Sequence, residues 1–241
     1  MPAHDLTVFT FLWDGWRALY DARHVNALHR MVTAHLSIPH RFVCVTDQPA
    51  GIECETWPLW DEPALADRPS HHDSYRRLQL FSPWAAATFG PGWALLLDLD
   101  CLVLDELAPL ITWDDFRGLK GAVCTYNGSM WLHRLGSRPQ VYETFSGDGM
   151  RAALTRTSKR KPWRGSDQVW ISYCLPGGPF YGNPDGVYRW EGKARVGKRI
   201  PDAARILFFP GNYERKPWAP EFARKFPDVH RRYMDWFGGP A

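Results

Sequence analysis

The stretch Trp93-Ala94-Leu95-Leu96-Leu97 is the most apolar strand candidate in the chain, and it ends abruptly on Asp98-Leu99-Asp100. A strand of this kind must be buried on both faces, which an open parallel sheet covered by helices provides and a half-solvated antiparallel sheet does not. The same pattern recurs on either side of it. Residues 6 to 12 (LTVFTFL) have strand length and β-rich composition, and Asp14-Gly15 breaks them. Val25, Leu28, Met31, Val32 and Leu36 fall on one helical face, with Pro39 just beyond. Residues 41 to 46 (RFVCVT) read as a second buried strand, closed by a turn over Asp47 to Gly51. A helix is expected over Ser74 to Phe81, restarted by Pro83 toward Phe89. Short strands are expected at Gly121 to Thr125 and Ser129 to His133, then a helix capped by Ser166 and running to Leu175, and a last strand at Arg205 to Phe209. Strand and helix in alternation predict an α/β fold with a mostly parallel sheet sandwiched by helices.

With 241 residues, no internal repeat and no long linker, a single domain over 1–241 is expected, with a helical C-terminal extension from about residue 219. A chain of this size buries roughly 70–75% of its unfolded surface, so the core needs no covalent or metal staple. Five cysteines (Cys44, Cys54, Cys101, Cys124, Cys174) are widely spread without a C-x-x-C pair, which argues against a zinc site and for a reducing compartment. The net charge of +3 is too mild to imply a polyanion partner. No apolar run approaches the ~20 residues of a membrane span. Met1 to Asp5 lack the basic and apolar blocks of a signal peptide, so a cytoplasmic location is the expectation. The 13 tryptophans are core material first, but flat apolar faces with a polar edge also suit carbohydrate and nucleotide sites.

In sheets of this type ligands bind beyond the carboxyl ends of the strands. Asp98 and Asp100 stand at such an end, two residues apart in an extended segment, with both side chains on one face. Carboxylates held that close repel, so one takes a proton or a cation sits between them. A hard divalent ion, Mg²⁺ or Mn²⁺, prefers such oxygen ligands and commonly shares them with substrate phosphates. Thr10, ending the first strand, and Asp47, after the second, lie where a nucleotide base and ribose would dock by the same rule.

The segment LLLDLDCLVL resembles the D-x-D motif of glycosyltransferases with the GT-A fold, whose carboxylates hold a metal on a nucleotide-sugar diphosphate. Further segments resemble the glycogenin-like, retaining galactosyltransferase group in the same order along the chain. Ser74 to Phe81 is similar to the stretch carrying a donor-binding Lys or Arg, at Arg77 here with Arg76 as neighbour. Asn127-Gly128-Ser129-Met130 resembles that group's N-S-G-V-M with Gly and Ser exchanged, and Gly165-Ser166-Asp167-Gln168 resembles its D-Q-D segment. Phe208-Phe209-Pro210-Gly211 to Lys216-Pro217-Trp218 is similar to the closing H-x-x-G-x-x-K-P-W element. The resemblance departs at Phe208, which stands where the group has a metal-binding His, at Val169 in place of the second acid of D-Q-D, and in the longer spacing from Gly211 to Lys216.

What the resemblance implies is a metal-dependent transferase that takes a nucleotide-sugar, a UDP-sugar first among them, with Mn²⁺ or Mg²⁺ as cofactor. Asp98, Asp100 and Asn212 are then the expected metal ligands. Thr10, Asp47, Arg77, Asp98, Asn127, Gly211 and Lys216 bind the donor, and Asp167 and Gln168 sit beside the reacting sugar. The acceptor is not specified. Six Lys or Arg residues between Arg151 and Arg164 form a basic stretch that could touch an acidic glycan, a lipid phosphate or DNA, and His71-His72 is read as a loop pair. Two alternatives stay open. A haloacid dehalogenase-like phosphohydrolase would use Asp98 as nucleophile, although Asp114-Asp115 comes too soon for that family's later acids. A non-catalytic nucleotide-sugar binding module would have lost its third metal ligand at Phe208.

Overall fold

The computed structural model describes residues 6–13, 19–60, 73–157, 166–191 and 199–238. A seven-stranded sheet runs through its centre in the order β3-β2-β1-β4-β7-β6-β8. The strands are β1 (Leu6–Leu12), β2 (Arg41–Thr46), β3 (Glu55–Pro58), β4 (Trp93–Leu97), β6 (Phe116–Lys120), β7 (Tyr126–Arg134) and β8 (Phe180–Tyr181). β1 pairs in parallel with both β2 and β4, and β6 in parallel with β8; β7 lies antiparallel to β4 and to β6. A smaller sheet, β5-β10-β9, is made of β5 (Cys101–Val103), β9 (Val187–Arg189) and β10 (Ile206–Phe208).

Period-two alternation explains the burial. Leu6, Val8, Phe42, Cys44, Leu95 and Leu97 enter one apolar cluster, while Phe9, Phe11, Val43, Val45, Ala94 and Leu96 enter another on the opposite face. The first cluster is covered by helix α1 (Ala22–His35), through Val25, Leu28, Met31 and Val32, and by the smaller sheet. Asp21 caps α1, its side chain accepting from Arg23 N while His24 Nδ1 accepts from Asp21 N. The second cluster is covered by the 3₁₀ segment Asp73–Phe81, by α2 (Pro83–Phe89), by Val141 of α3 (Gln140–Glu143), and by Trp170 and Ile171 of α5 (Asp167–Cys174). Two short helices, Pro220–Lys225 and Pro227–Met234, close the chain, with Phe222, Phe226 and Tyr233 in the first cluster. This is the expected α/β arrangement, a mostly parallel sheet between helices.

Some elements differ from the expectation. Residues 121 to 125 are a tight connection between β6 and β7 rather than a strand, because Gly121 N donates to Thr125 O. Only glycine fits there: a Cβ on Gly121 would lie 2.3 Å from Cys124 O. The helix expected over Ser74 to Phe81 is a 3₁₀ helix. Arg151 to Thr157 form the end of a helix, α4 (Gly147–Thr157), and the rest of the basic stretch lies outside the described residues, as do Asp14-Gly15 and His71-His72. Among the described residues no helix is long and apolar enough to cross a membrane.

His133 in β7 locks the second cluster to its covering layer. It is fully buried, stacks on Phe81 at 4.3 Å, and its Nε2 lies 3.0 Å from Leu80 O, which assigns the proton to Nε2. Burial pushes its pKa down to about 4 against the opposing pull of that carbonyl. The folded protein therefore binds this proton less readily than the unfolded chain, whose histidine titrates near 6.5. The resulting stability is complete above pH 6.5 and is lost as the pH falls toward 4. Between pH 7 and pH 5 His133 alone is expected to remove about 2 kcal/mol of unfolding free energy. Urea denaturation at the two pH values should show this loss, and His133→Gln should show a correspondingly flatter dependence.

Candidate active site

The end of β4 is where the two sheets part. Asp98 N donates to Ser129 O at 2.9 Å, extending the ladder to β7, and two residues later Phe209 N donates to Asp100 O at 2.9 Å, joining the smaller sheet. Leu99 between them is buried in the first apolar cluster, so alternation turns Asp98 and Asp100 together to the other side.

The two carboxylates are held by different cations. Arg77 Nη1 donates to Asp98 Oδ1 and, at 3.0 Å, to Gly128 O; Arg77 Nη2 lies 2.6 Å from Asp167 Oδ2. Lys216 Nζ donates to Asp100 Oδ2 and, at 2.8 Å, to Phe209 O. Tyr20 hydrogen-bonds Asp100, and its ring lies beneath Lys216 Nζ at 6.0 Å. Exposure separates the roles. The Asp98 side chain keeps 30% of its surface, whereas Asp167 keeps 1% and Lys216 3%. Asp98 is thus the most open of the three carboxylates, and Asp167 is the buried anchor that fixes Arg77.

Three carboxylates face two cations, and the imbalance appears in their acidity. Desolvation within the cluster raises the Asp98 pKa to about 6; Arg77 opposes the rise and the Asp100 charge adds to it. Burial likewise raises Asp167, with Arg77 opposing. Burial also raises the Tyr20 phenol, and Asp100 and Asp98 raise it further. A hard divalent cation would relieve the Asp98–Asp100 repulsion, and two carboxylate oxygens with the rest of the shell left to phosphate and water is a donor set such ions accept. Among the described residues no three His, Cys, Asp or Glu side chains converge as a metal site. Asn212 lies exposed at the start of the turn Tyr213–Arg215, and none of the contacts described in the cluster involves it.

The other expected site residues spread along the same sheet edge. Gln168 Oε1 accepts from Gly128 N at 3.1 Å, placing it beside the cluster, and Asn127 Oδ1 accepts from Ser129 N at 2.9 Å. Thr10 is buried and donates to Leu97 O at 2.9 Å, tying β1 to the end of β4. Its hydroxyl is used within the sheet. Asp47 is exposed after β2, and Gly211 is exposed with φ of +109°. Arg76 points elsewhere, its Nη1 on Trp60 O, so Arg77 is the arginine of this site. With its guanidinium on Asp98, Gly128 and Asp167, Arg77 braces the acidic pair rather than offering an open phosphate contact. Two participants escaped the sequence reading. Tyr20 belongs to no motif, and Gly128 is required by shape, since a Cβ there would lie 2.8 Å from Arg77 Nη2 and 3.1 Å from Asp167 Oδ1. The Gly–Ser exchange in that segment was the available signal.

The architecture is that of the GT-A glycosyltransferase fold. The galactosyltransferase LgtC, solved with donor and acceptor sugar analogues, superposes with a TM-score of 0.64 at 15% identity over 96% of this chain and 95% of its own. The glycosyltransferase GlyE of Streptococcus pneumoniae TIGR4 gives 0.58 at 14% identity over 96% of this chain and 62% of its own. The bifunctional glycosyltransferase WbbM gives 0.59 at 11% identity over 97% and 50%. No family model and no curated protein matches the sequence.

The arrangement predicts a strongly non-additive pair. Arg77→Met leaves Asp167 buried without its cation and should cost about 3–5 kcal/mol of unfolding free energy. Adding Asp167→Leu should restore much of that loss, because a buried ion pair replaced at both ends costs far less than one broken at one end. Chemical denaturation of the two single variants and the double variant measures the coupling.

Proposed function

We propose that this chain is a glycosyltransferase that moves a sugar from a nucleotide-sugar, a UDP-sugar, to an acceptor hydroxyl with Mn²⁺ or Mg²⁺ as cofactor. The observation that carries the reading is the braced acidic pair at the carboxyl end of β4, on a fold whose solved neighbours are sugar transferases. Asp98 and Asp100 would hold the cation, which when bound supplies Lewis acidity at the donor diphosphate.

In the transfer, a bond forms from the acceptor oxygen to the anomeric carbon as the bond from that carbon to the diphosphate oxygen breaks. The electron pair leaves with the diphosphate, which becomes the site of growing negative charge and takes up the proton that the acceptor hydroxyl gives up. Lys216, set against Asp100, adds fixed positive charge at that edge without reorganisation. Arg77 keeps Asp98 ionised and aimed, and Asp167 keeps Arg77 in place. Gln168, against the Gly128 backbone, stands beside the reacting sugar. One LgtC structure carries a glutamine-to-glutamate change in the active site, and Gln168 is the residue of matching chemistry here. Asp47 marks the β2 end of the edge for the nucleoside.

A thermal-shift panel of UDP, GDP, CDP and ADP, each with and without Mn²⁺, tests this. A diphosphate at 100 times its Kd stabilises by about 2.7 kcal/mol, hence roughly 5–11 °C for a chain of this size. UDP is expected to give that shift only with metal, and Asp98→Asn to abolish it. Absence of a shift with every nucleotide in the presence of metal would sink the proposal. Binding without sugar release would move the chain to a nucleotide-sugar binding module.

A further inference from the structure

A second feature of the same edge is an open cavity of about 820 Å³ at the carboxyl ends of β6 and β8, where the large sheet meets β9 of the smaller one. It adjoins the acidic cluster through the backbone. Lys120 pairs with Tyr126 and Leu119 with Asn127 across the β6–β7 ladder, and Gly128, the next residue, binds Arg77. Small-molecule sites occupy roughly 300–1,000 Å³, so the space admits more than one sugar ring.

Its lining divides by chemistry. Leu119, Tyr181 and Val187 are buried and give it an apolar wall. The charged residues are Lys120, Arg189, Arg199 and Glu191. Arg189 is held by Glu191 at 3.0 Å, which leaves two exposed cations, Lys120 and Arg199, with no acidic partner among the described residues. An apolar wall beside uncompensated cations selects a ligand with a flat or alkyl surface and a negative group, and arginine suits phosphate or carboxylate oxygens.

We infer that this cavity is the acceptor subsite and that it takes an anionic sugar, one bearing a phosphate or a carboxylate, through Lys120 and Arg199. The inference rests on the transferase reading for the word acceptor, but the anion site stands on the cavity alone. Its place along the edge, on the side of the cluster opposite β2 and Asp47, leaves the other flank to the nucleoside.

Isothermal titration of the full chain, with UDP and Mn²⁺ at saturation so that the Asp98 cluster is filled, would compare glucose 6-phosphate, glucuronate and glucose. At least one anionic sugar is expected to bind tenfold or more tightly than glucose, with affinity falling as salt rises. The preferred anion then distinguishes a phosphorylated from an acidic-sugar acceptor. Lys120→Gln with Arg199→Gln, two exposed substitutions away from the core, should cancel the preference while leaving UDP binding unchanged. Equal binding of neutral and anionic sugars, or an anion preference undiminished in the double variant, would overturn the inference. Repeating the titration without nucleotide separates the two proposals. A chain that refuses UDP yet binds an anionic sugar through Lys120 and Arg199 loses the transferase reading and keeps the anion site. One that takes UDP and treats the sugars alike does the reverse.

Discussion

The guanidinium of Arg77, bridging Asp98 and Asp167 beneath the sheet edge, is the contact on which the site depends. A buried carboxylate such as Asp167 is tolerable only with a cation against it, and Asp98 repels Asp100 unless something draws it aside. One planar group with several donors does both, and its third contact, to Gly128 O, pins β7 to the same point. Remove it and the 3₁₀ segment, the end of β4, the start of β7 and the start of α5 lose their shared anchor. Lys216 performs the equivalent task on the other acid, linking Asp100 to Phe209 at the end of β10. The acidic pair is therefore built from both sheets, and each carboxylate is oriented by a different one.

Much of the central sheet was legible because its strands obey a simple rule. β4 is apolar throughout, β1 and β2 depart from that among their buried positions only at Thr7, Thr10 and Thr46, and the alternation of Leu95 and Leu97 against Ala94 and Leu96 divides the strands between two cores. The acidic pair was legible for the converse reason, since charge directly after so apolar a strand requires a partner. The smaller sheet was less so. β10 was expected within Arg205 to Phe209, but β5 and β9 have three residues each, too short for periodicity to be distinguished from a loop, and they exist because they pair with β10. Residues 121 to 125 have strand-like composition, but the hydrogen bond closing the turn needs a glycine at 121 and overrides it.

The site residues divide in the same way. Motif order brought Asp98, Asp100, Arg77, Asp167, Gln168 and Lys216 to one place. It did not show which side chain faces outward, because that depends on packing. Asp167 stands at the first turn of a helix in the sequence, a position that usually implies exposure, but α5 packs it against Arg77 and hides it. Thr10 was expected to end the first strand, but β1 runs on to Leu12 and the Thr10 hydroxyl is taken by Leu97 O. Phe208, standing in the place of a histidine, lies buried in β10 among apolar neighbours, so this position supports the core rather than the cleft.

The reversal of β7 has a further consequence. Because β7 runs against β4 and β6, the short turn entering it opens on the same edge as the acidic pair. A parallel strand there would have needed a crossover of a dozen or more residues. The hairpin instead lets residues on one side of Gly128 change with little disturbance to the residues that grip Asp98. Such a division gives descendants of the fold a cheap way to diversify. The part of the edge beyond Gly128 can drift under selection while the charge-handling part stays under constraint, so one flank can change before the other does.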